Sequence, residues 1–104
     1  MGFTISKGNN SNGKLIGIMT TGSSKQTFTF KMDDDSPIQV NPTPGINKTY
    51  NSTVYRNDNG TDPVVFAGLL TSISTSSVIF TFVQGNNLVN GTYYTVNSTL
   101  DISI

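Results

Sequence analysis

The residues best suited to chemistry are aspartates and the amide side chains that stand between them. Residues 57–62 read NDNGTD, which places side-chain oxygens at alternate positions around a glycine. Calcium prefers hard oxygen ligands of this kind. The candidate metal ligands are Asp58, Asn59 and Asp62, with Asp33 and Asp35 joining them if the two loops meet at one end of the fold. The alternative is a plain hairpin turn, because Asn, Asp and Gly are the expected turn residues.

The chain is poorly supplied for catalysis. It contains no His, Cys or Glu, so the usual general bases and activated nucleophiles are missing. A hydrolase with paired carboxylates needs two acids held about 5–10 Å apart across a cleft, and neither the consecutive acids Asp33–Asp35 nor the acids of the 57–62 loop indicate such a pair. We therefore expect no enzymatic activity and no cofactor other than calcium.

Charge excludes two classes of partner. Six Lys and Arg residues balance six acids over 104 residues, and charged residues are only 12% of the chain. Nucleic-acid binding needs a basic face that neutralises phosphates, and a membrane-surface segment needs a basic cluster. The sequence predicts neither. The Cys-free composition also rules out disulfides and thiolate metal sites.

Residue usage and periodicity predict an all-β domain. There is one Ala and no Glu, while the strand-favouring residues Thr, Val, Ile, Tyr and Phe are abundant. Phe28, Phe30 and Met32 alternate with polar residues, as expected of a strand buried on one side. Ile38–Val40 is a short strand that Pro42 and Pro44 confine to an edge or a crossing. About eight such segments recur at short intervals, the pattern of a sandwich or small barrel.

A long uncharged stretch runs from Pro63 to Leu100. A membrane span over its first part is disfavoured by the polar residues 71–77, TSISTSS, so two strands joined by a turn fit better. Val64–Leu70 is almost continuously apolar, which predicts a strand covered on both faces. Strand edges without charges are poorly protected against pairing. We therefore expect a homo-oligomer or larger assembly, with Thr99–Ile104 as a strand that could augment a neighbouring sheet.

Residues 88–96, LVNGTYYTV, resemble the penultimate strand of immunoglobulin-like and fibronectin-like domains, in which a turn residue and Gly precede an aromatic and an alternating strand. The resemblance implies a two-sheet fold. We predict one domain over residues 1–104, an antiparallel β-sandwich of seven to nine short strands, immunoglobulin-like or jelly-roll-like. The expected core contains Phe28, Phe30, Val65, Leu69, Phe80, Phe82, Tyr94, Val96, Leu100 and Ile102.

The leading functional hypothesis is a non-catalytic structural or adhesive module, extracellular or on a virion surface, that acts through loops and self-association. Its partners would be a glycan or a surface protein. Six Asn-X-Ser/Thr sequons fit an exterior protein: Asn9, Asn47, Asn51, Asn59, Asn90 and Asn97. The alternative is a calcium-assisted carbohydrate-binding lectin. Since the chain has no Trp, its sugar-stacking residues would come from Tyr50, Tyr55, Tyr93 and Tyr94.

Overall fold

The computed structural model describes residues 2–8, 12–21, 26–56, 61–85, 93–95 and 99–104. These residues form nine strands joined by turns. The strands are β1 Phe3–Lys7, β2 Leu15–Thr21, β3 Gln26–Met32, β4 Ile38–Asn41, β5 Thr49–Tyr55, β6 Pro63–Ile73, β7 Val78–Gly85, β8 Tyr93–Thr95 and β9 Thr99–Ile102. The lack of Glu, the single Ala and the abundance of Thr, Val, Ile, Tyr and Phe account for the all-β outcome.

The strands form two antiparallel sheets. The smaller sheet has the order β4-β1-β9. The larger has the order β2-β3-β7-β6-β5-β8 and closes on itself, because the short strand β8 pairs with both β2 and β5. One hydrophobic core includes residues from both sheets. The prediction of an antiparallel sandwich of seven to nine strands is confirmed, with nine strands and a strongly curled second layer. The immunoglobulin-like resemblance stays a prediction.

Four phenylalanines make the centre of the core. Phe28 and Phe30 come from β3, Phe66 from β6 and Phe80 from β7, and none is more than 1% exposed. Their ring centroids lie 4.7–5.9 Å apart, mostly in edge or tilted arrangements, the geometry that aromatic pairs prefer. Gly17 of β2 lies against this cluster, where an added Cβ would stand 2.7 Å from the Phe28 ring. The missing side chain lets the rings fill the space.

The core of the smaller sheet joins that of the larger through one aromatic contact. Phe3 of β1 meets Tyr50 of β5 edge to face, with centroids 5.1 Å apart. The Tyr50 hydroxyl donates a hydrogen bond to the Gly45 carbonyl at 3.0 Å. This buried tyrosine therefore packs its ring between the two sheets while its polar end remains satisfied.

The prediction that Val64–Leu70 is covered on both faces is wrong. In β6, Val64, Phe66 and Leu70 are buried, whereas Val65 is 60% exposed and Leu69 is half-buried. The larger sheet packs on the core with its inner face only, so β6 alternates like any strand with one solvated face. Val65 and Leu69 are accordingly not core residues.

The inner residues of β2 and β9 reach the core. Leu15 and Met19 of β2 belong to the core cluster, and Ile16 is also buried. In β9, Leu100 and Ile102 are buried, whereas Ile104, two residues beyond the end of the strand, is 62% exposed.

The remaining core predictions divide into two groups. The buried residues among them are Phe28, Phe30, Phe80, Leu100 and Ile102, and for these the prediction is confirmed. Phe82 and Tyr94 lie in strands whose side chains are not described there, and Val96 lies outside the described residues.

Two further expectations are confirmed. β4 lies at an edge of the smaller sheet, next to β1 alone. β6 and β7 form an antiparallel hairpin, closed by the Ser74–Ser77 turn, in which the Ser74 N–H donates to the Ser77 carbonyl at 2.9 Å. Across the residues described, no helix is present that is long and apolar enough to cross a membrane.

Candidate functional site

The candidate site lies where the two sheets meet, between β5 and β9. Both strands alternate: Tyr50, Ser52 and Val54 of β5 face the core, as do Leu100 and Ile102 of β9. The intervening residues of both strands are exposed or half-buried on the outer face. Because every second residue points outward, the two strands present their polar residues to the same side.

The two strands pair at one point and then separate. Asn51 and Ser103 form an antiparallel bridge through two backbone hydrogen bonds, of 2.7 Å and 2.8 Å. Two residues further along, Thr53 and Asp101 would form the next pair of an antiparallel ladder, but β5 turns to β8 instead and pairs there through Tyr55. The strands therefore diverge from the bridge, and the backbone groups of Thr53 and Asp101 face the resulting gap.

The Ser52 hydroxyl crosses the floor of this gap and donates a hydrogen bond to the Asp101 carbonyl. Ser52 is only 8% exposed. A partly buried carbonyl at a divided strand pair loses hydration and is costly unless it has a donor, and this hydroxyl supplies one. The bond also ties β9 to the larger sheet at the point where the regular ladder stops.

Above this floor is a groove of about 300 Å³. Its lining consists of Asn51, Ser52, Thr53, Tyr55, Thr99, Leu100, Asp101 and Ser103. We call this cleft the β5–β9 groove. Its walls present hydroxyl groups, one amide, one carboxylate and one aromatic ring. It can therefore accept and donate hydrogen bonds along both walls, with Asp101 as the one charged residue of that lining.

The calcium loop predicted from the sequence falls mostly beyond what can be described. Asp58 and Asn59 lie outside the described residues. Asp62 is exposed, has a left-handed φ of 59°, and its carbonyl accepts a 3.3 Å hydrogen bond from the Arg56 N–H. Asp tolerates this conformation better than most residues. The described part is thus the end of the β5–β6 hairpin connection, and the calcium loop stays a prediction.

The acidic turn after β3 is engaged in local bonds. The Lys14 N–H donates to the Asp33 carboxylate at 2.9 Å, and Asp35 forms an ion pair with Lys31. The carboxylates of Asp33 and Asp34 both pack against Gly13. A Cβ added to Gly13 would stand 2.6 Å from an Asp33 oxygen and 2.5 Å from an Asp34 oxygen. These contacts hold the β1–β2 connection against the end of β3.

Hydrogen bonds within this turn also favour the ionised form of the Asp34 carboxyl. The Ser36 hydroxyl and the Ser36 N–H both donate to the Asp34 carboxylate, the latter at 3.1 Å. These bonds favour the ionised form, so they lower the pKa of Asp34 below its usual value of 3.8. Asp34 is consequently charged wherever the folded protein is studied near neutral pH.

The acidic turn and the end of β5 at Tyr55 lie at the same end of the larger sheet. Tyr55 pairs with Thr95, Thr95 with Ile16, and Ile16 with Lys31. Those three steps amount to roughly 14 Å along the sheet at the usual strand spacing. Among the residues that the structure describes, no three acidic side chains gather closely enough to hold a metal.

The tyrosines and sequons of the sequence analysis are placed in part. Tyr50 is buried in the core, whereas Tyr55 lines the β5–β9 groove. The side chains of Tyr93 and Tyr94 are not described, and nor are four of the six sequon asparagines. Asn47 and Asn51 are exposed, and Asn51 stands on the wall of the groove.

The expected self-association depended on the uncharged strands of the 63–100 stretch having open edges. β6 lies between β5 and β7, and β7 lies between β6 and β3, so both are central strands. Their lack of charge needs no protecting partner. The homo-oligomer stays a prediction without this reason, and light scattering checks it: a uniform mass of 11.2 kDa at high concentration would contradict it.

No family model matches the chain, and no curated protein or solved structure matches it either. The geometry of the β5–β9 groove is therefore the basis for the functional interpretation. Sequence reasoning predicted the strand Thr99–Ile104 but not the groove, because the two walls of the groove are about fifty positions apart in the chain. The available signal was polar alternation on both segments, which many solvated strands share.

Proposed function

We propose that this protein is a non-catalytic adhesive module, displayed on a cell or virion surface, that contacts its partner through the β5–β9 groove. The observation that carries the proposal is the groove itself, a cleft of about 300 Å³ between two sheets with hydrogen-bonding groups on both walls. Ligand clefts in proteins start at about this size.

The lining favours binding over reaction. Asp101 is the one carboxylate among the described lining residues, and it is accompanied by hydroxyls and an amide. Acid–base hydrolysis by carboxylates needs a second acid across the cleft. The chain also has no His, Cys or Glu that could activate a hydroxyl nucleophile. Neutral hydrogen-bonding groups recognise a ligand without changing it.

The rest of the surface supports an exterior location. Only 12% of residues are charged, and Ser, Thr and Asn take their place. The sequon asparagine Asn47, which does not line the groove, is exposed, as N-glycosylation in an extracellular setting would require. A glycan on Asn51 would fill the groove, so we expect the protein to bind only where Asn51 is unmodified.

An adhesion assay tests the proposal. Beads are coated with protein made in a host without N-glycosylation and are washed over surfaces coated with mucin, with serum albumin or with cultured cells. Thr53→Arg places a long side chain in the groove. Thr29→Arg is the matched control, because Thr29 is also half-buried on an outer face and β3 lies opposite β5 in the six-strand ring.

We expect Thr53→Arg to lower the adherent fraction about tenfold or more, as blocking a contact site does, and Thr29→Arg to leave it unchanged. Both variants should have the circular dichroism spectrum and unfolding midpoint of the wild type. The proposal is wrong if the wild type adheres to none of these surfaces, or if Thr53→Arg adheres as well as the wild type.

A further inference from the structure

We infer that the ligand of the β5–β9 groove is a small neutral saccharide. This inference rests on the proposed function, since it names the partner of the same groove. It follows from three features of the groove: the mixture of donors and acceptors on its walls, the short length of open strand edge, and the sign of its charge.

The walls match the hydrogen-bonding needs of a sugar. Each sugar hydroxyl both donates and accepts, so neighbouring hydroxyls are best held by acceptor-only and mixed groups together. The Asp101 carboxylate only accepts, the Asn51 amide does both, and Thr53, Thr99 and Ser103 add hydroxyls. Tyr55 supplies an aromatic ring against which the apolar face of a sugar can pack.

An extended peptide strand fits the groove less well. Strand addition gains its affinity from a run of main-chain hydrogen bonds. On the β5 side, Asn51 is already bridged to Ser103 and Tyr55 is already paired with Thr95. Only Thr53 remains between them to face the gap. One residue of open edge on β5 is too short for a ladder, and on the edge strand β9 the Asp101 carbonyl already accepts a hydrogen bond from the Ser52 hydroxyl. Such a groove can still serve a ligand with a few well-placed hydroxyls.

The charge of the groove selects among saccharides. Asp101 is its one charged residue, and none of the described lining residues is basic. A carboxylate or sulfate on the ligand would be repelled by Asp101 and would find no cation among the described residues of the walls. The groove therefore favours neutral sugars over sialylated or sulfated ones. Its volume of about 300 Å³ restricts the bound part to a small saccharide.

A glycan array tests this inference with defined probes. Labelled protein is applied to neutral mono- to tetrasaccharides and to sialylated and sulfated counterparts of the same chains. Asp101→Asn keeps the shape of the side chain and removes its charge. Asp35→Asn is the matched control, because Asp35 is an exposed acid that pairs with Lys31 and does not line the groove.

We expect binding to at least one neutral saccharide, and binding about tenfold weaker or more in Asp101→Asn, since hydrogen bonds to a charged acceptor are the stronger ones. The same substitution should narrow the preference for neutral over sialylated probes. A purely structural role of Asp101 would lower all binding without changing that ratio. Asp35→Asn should behave as the wild type.

The failures of the two proposals are distinguishable. If Thr53→Arg abolishes adhesion, but no neutral saccharide binds and the adhesion is lost after protease and kept after glycosidase treatment of the surface, the partner is a protein and this inference is wrong. Stronger binding of sialylated or sulfated probes would also overturn it. If saccharides bind equally to Thr53→Arg, the groove is not the site and the proposed function is wrong as well.

Discussion

Gly17→Ala is the substitution whose effect the core determines most directly. It adds one methyl group to the inner face of β2, at a point where the Cβ would stand 2.7 Å and 2.9 Å from two atoms of the Phe28 ring and 2.9 Å from the Phe30 ring. Carbon atoms pack at about 3.5–4.0 Å, so the rings must move. Phe28 is held by Phe66 at a centroid distance of 4.9 Å and Phe30 by Phe80 at 5.9 Å.

The expected cost follows from two opposing terms. Overpacking a close-packed core costs about 1–3 kcal/mol. Replacing glycine by alanine within a strand stabilises the fold by roughly 0.5–1 kcal/mol, because the unfolded chain has less conformational entropy to lose on folding. We therefore expect Gly17→Ala to lower the free energy of unfolding by about 1–2 kcal/mol. For a domain of this length that corresponds to a melting temperature roughly 5–15 °C lower.

Equilibrium unfolding in urea, followed by circular dichroism, measures this change. Gly45→Ala is the control, because a Cβ at Gly45 meets only the flexible Lys48 side chain, at 3.3 Å. We expect its stability to change by less than about 0.5 kcal/mol. Phe28→Leu removes the ring that the new methyl would strike, so Gly17→Ala should cost less in that background, as coupled neighbours do.

Two results would refute this reasoning. Gly17→Ala could be as stable as the wild type, which would mean that the ring cluster has room that the structure does not show. It could also cost the same with and without the Phe28 ring. In that case the contact between the methyl and the Phe28 ring would not be the cause of the loss.

Three further predictions concern the groove and the acidic residues. Ser52→Ala should lower the free energy of unfolding by about 0.5–1.5 kcal/mol and speed amide hydrogen exchange in β9, because it removes the donor to the Asp101 carbonyl. Ser72→Ala, on the exposed face of β6, is the control and should change neither quantity, and unchanged exchange in β9 of Ser52→Ala would contradict the role of Ser52. The lowered pKa of Asp34 stabilises the fold above pH 3.8, and this stabilisation is lost as the pH falls through the lower pKa of the folded state. Melting temperatures should therefore fall less on acidification in Asp34→Asn than in the wild type, and equal falls would contradict the role of Asp34. If the calcium loop is real, millimolar calcium should raise the melting midpoint relative to EDTA, and Asp62→Asn should reduce that rise; an unchanged midpoint would remove the calcium prediction.

Local pattern predicted the strands well. The alternation of Phe28, Phe30 and Met32 indicated both the extent of β3 and its buried face, and all three are fully buried. Pro42 correctly indicated an edge position for β4. Such predictions succeed because strand geometry repeats every two residues and proline cannot take part fully in a ladder.

The same reasoning failed where the outcome depended on what lies beyond a strand. The apolar run that begins at Val64 looked buried on both faces, yet Val65 is 60% exposed, because none of the residues that the structure describes covers it on the outer face of β6. Its lack of charge suggested an edge in need of protection, yet β6 lies in the middle of its sheet. A strand carries no information about its own neighbours, which are chosen by distant segments.

The candidate site shows most clearly which properties the sequence determines and which ones only the tertiary structure decides. The sequence by itself determined an all-β chain with a charge-poor, hydroxyl-rich surface and few groups that can react, because these properties follow from residue types and from spacing along one segment. Only the tertiary structure decided that β5 leaves β9 for β8 and opens a groove between Thr53 and Asp101. That choice is a matter of strand order and register, in which residues nearly fifty positions apart must meet, and no local pattern records which partners they find.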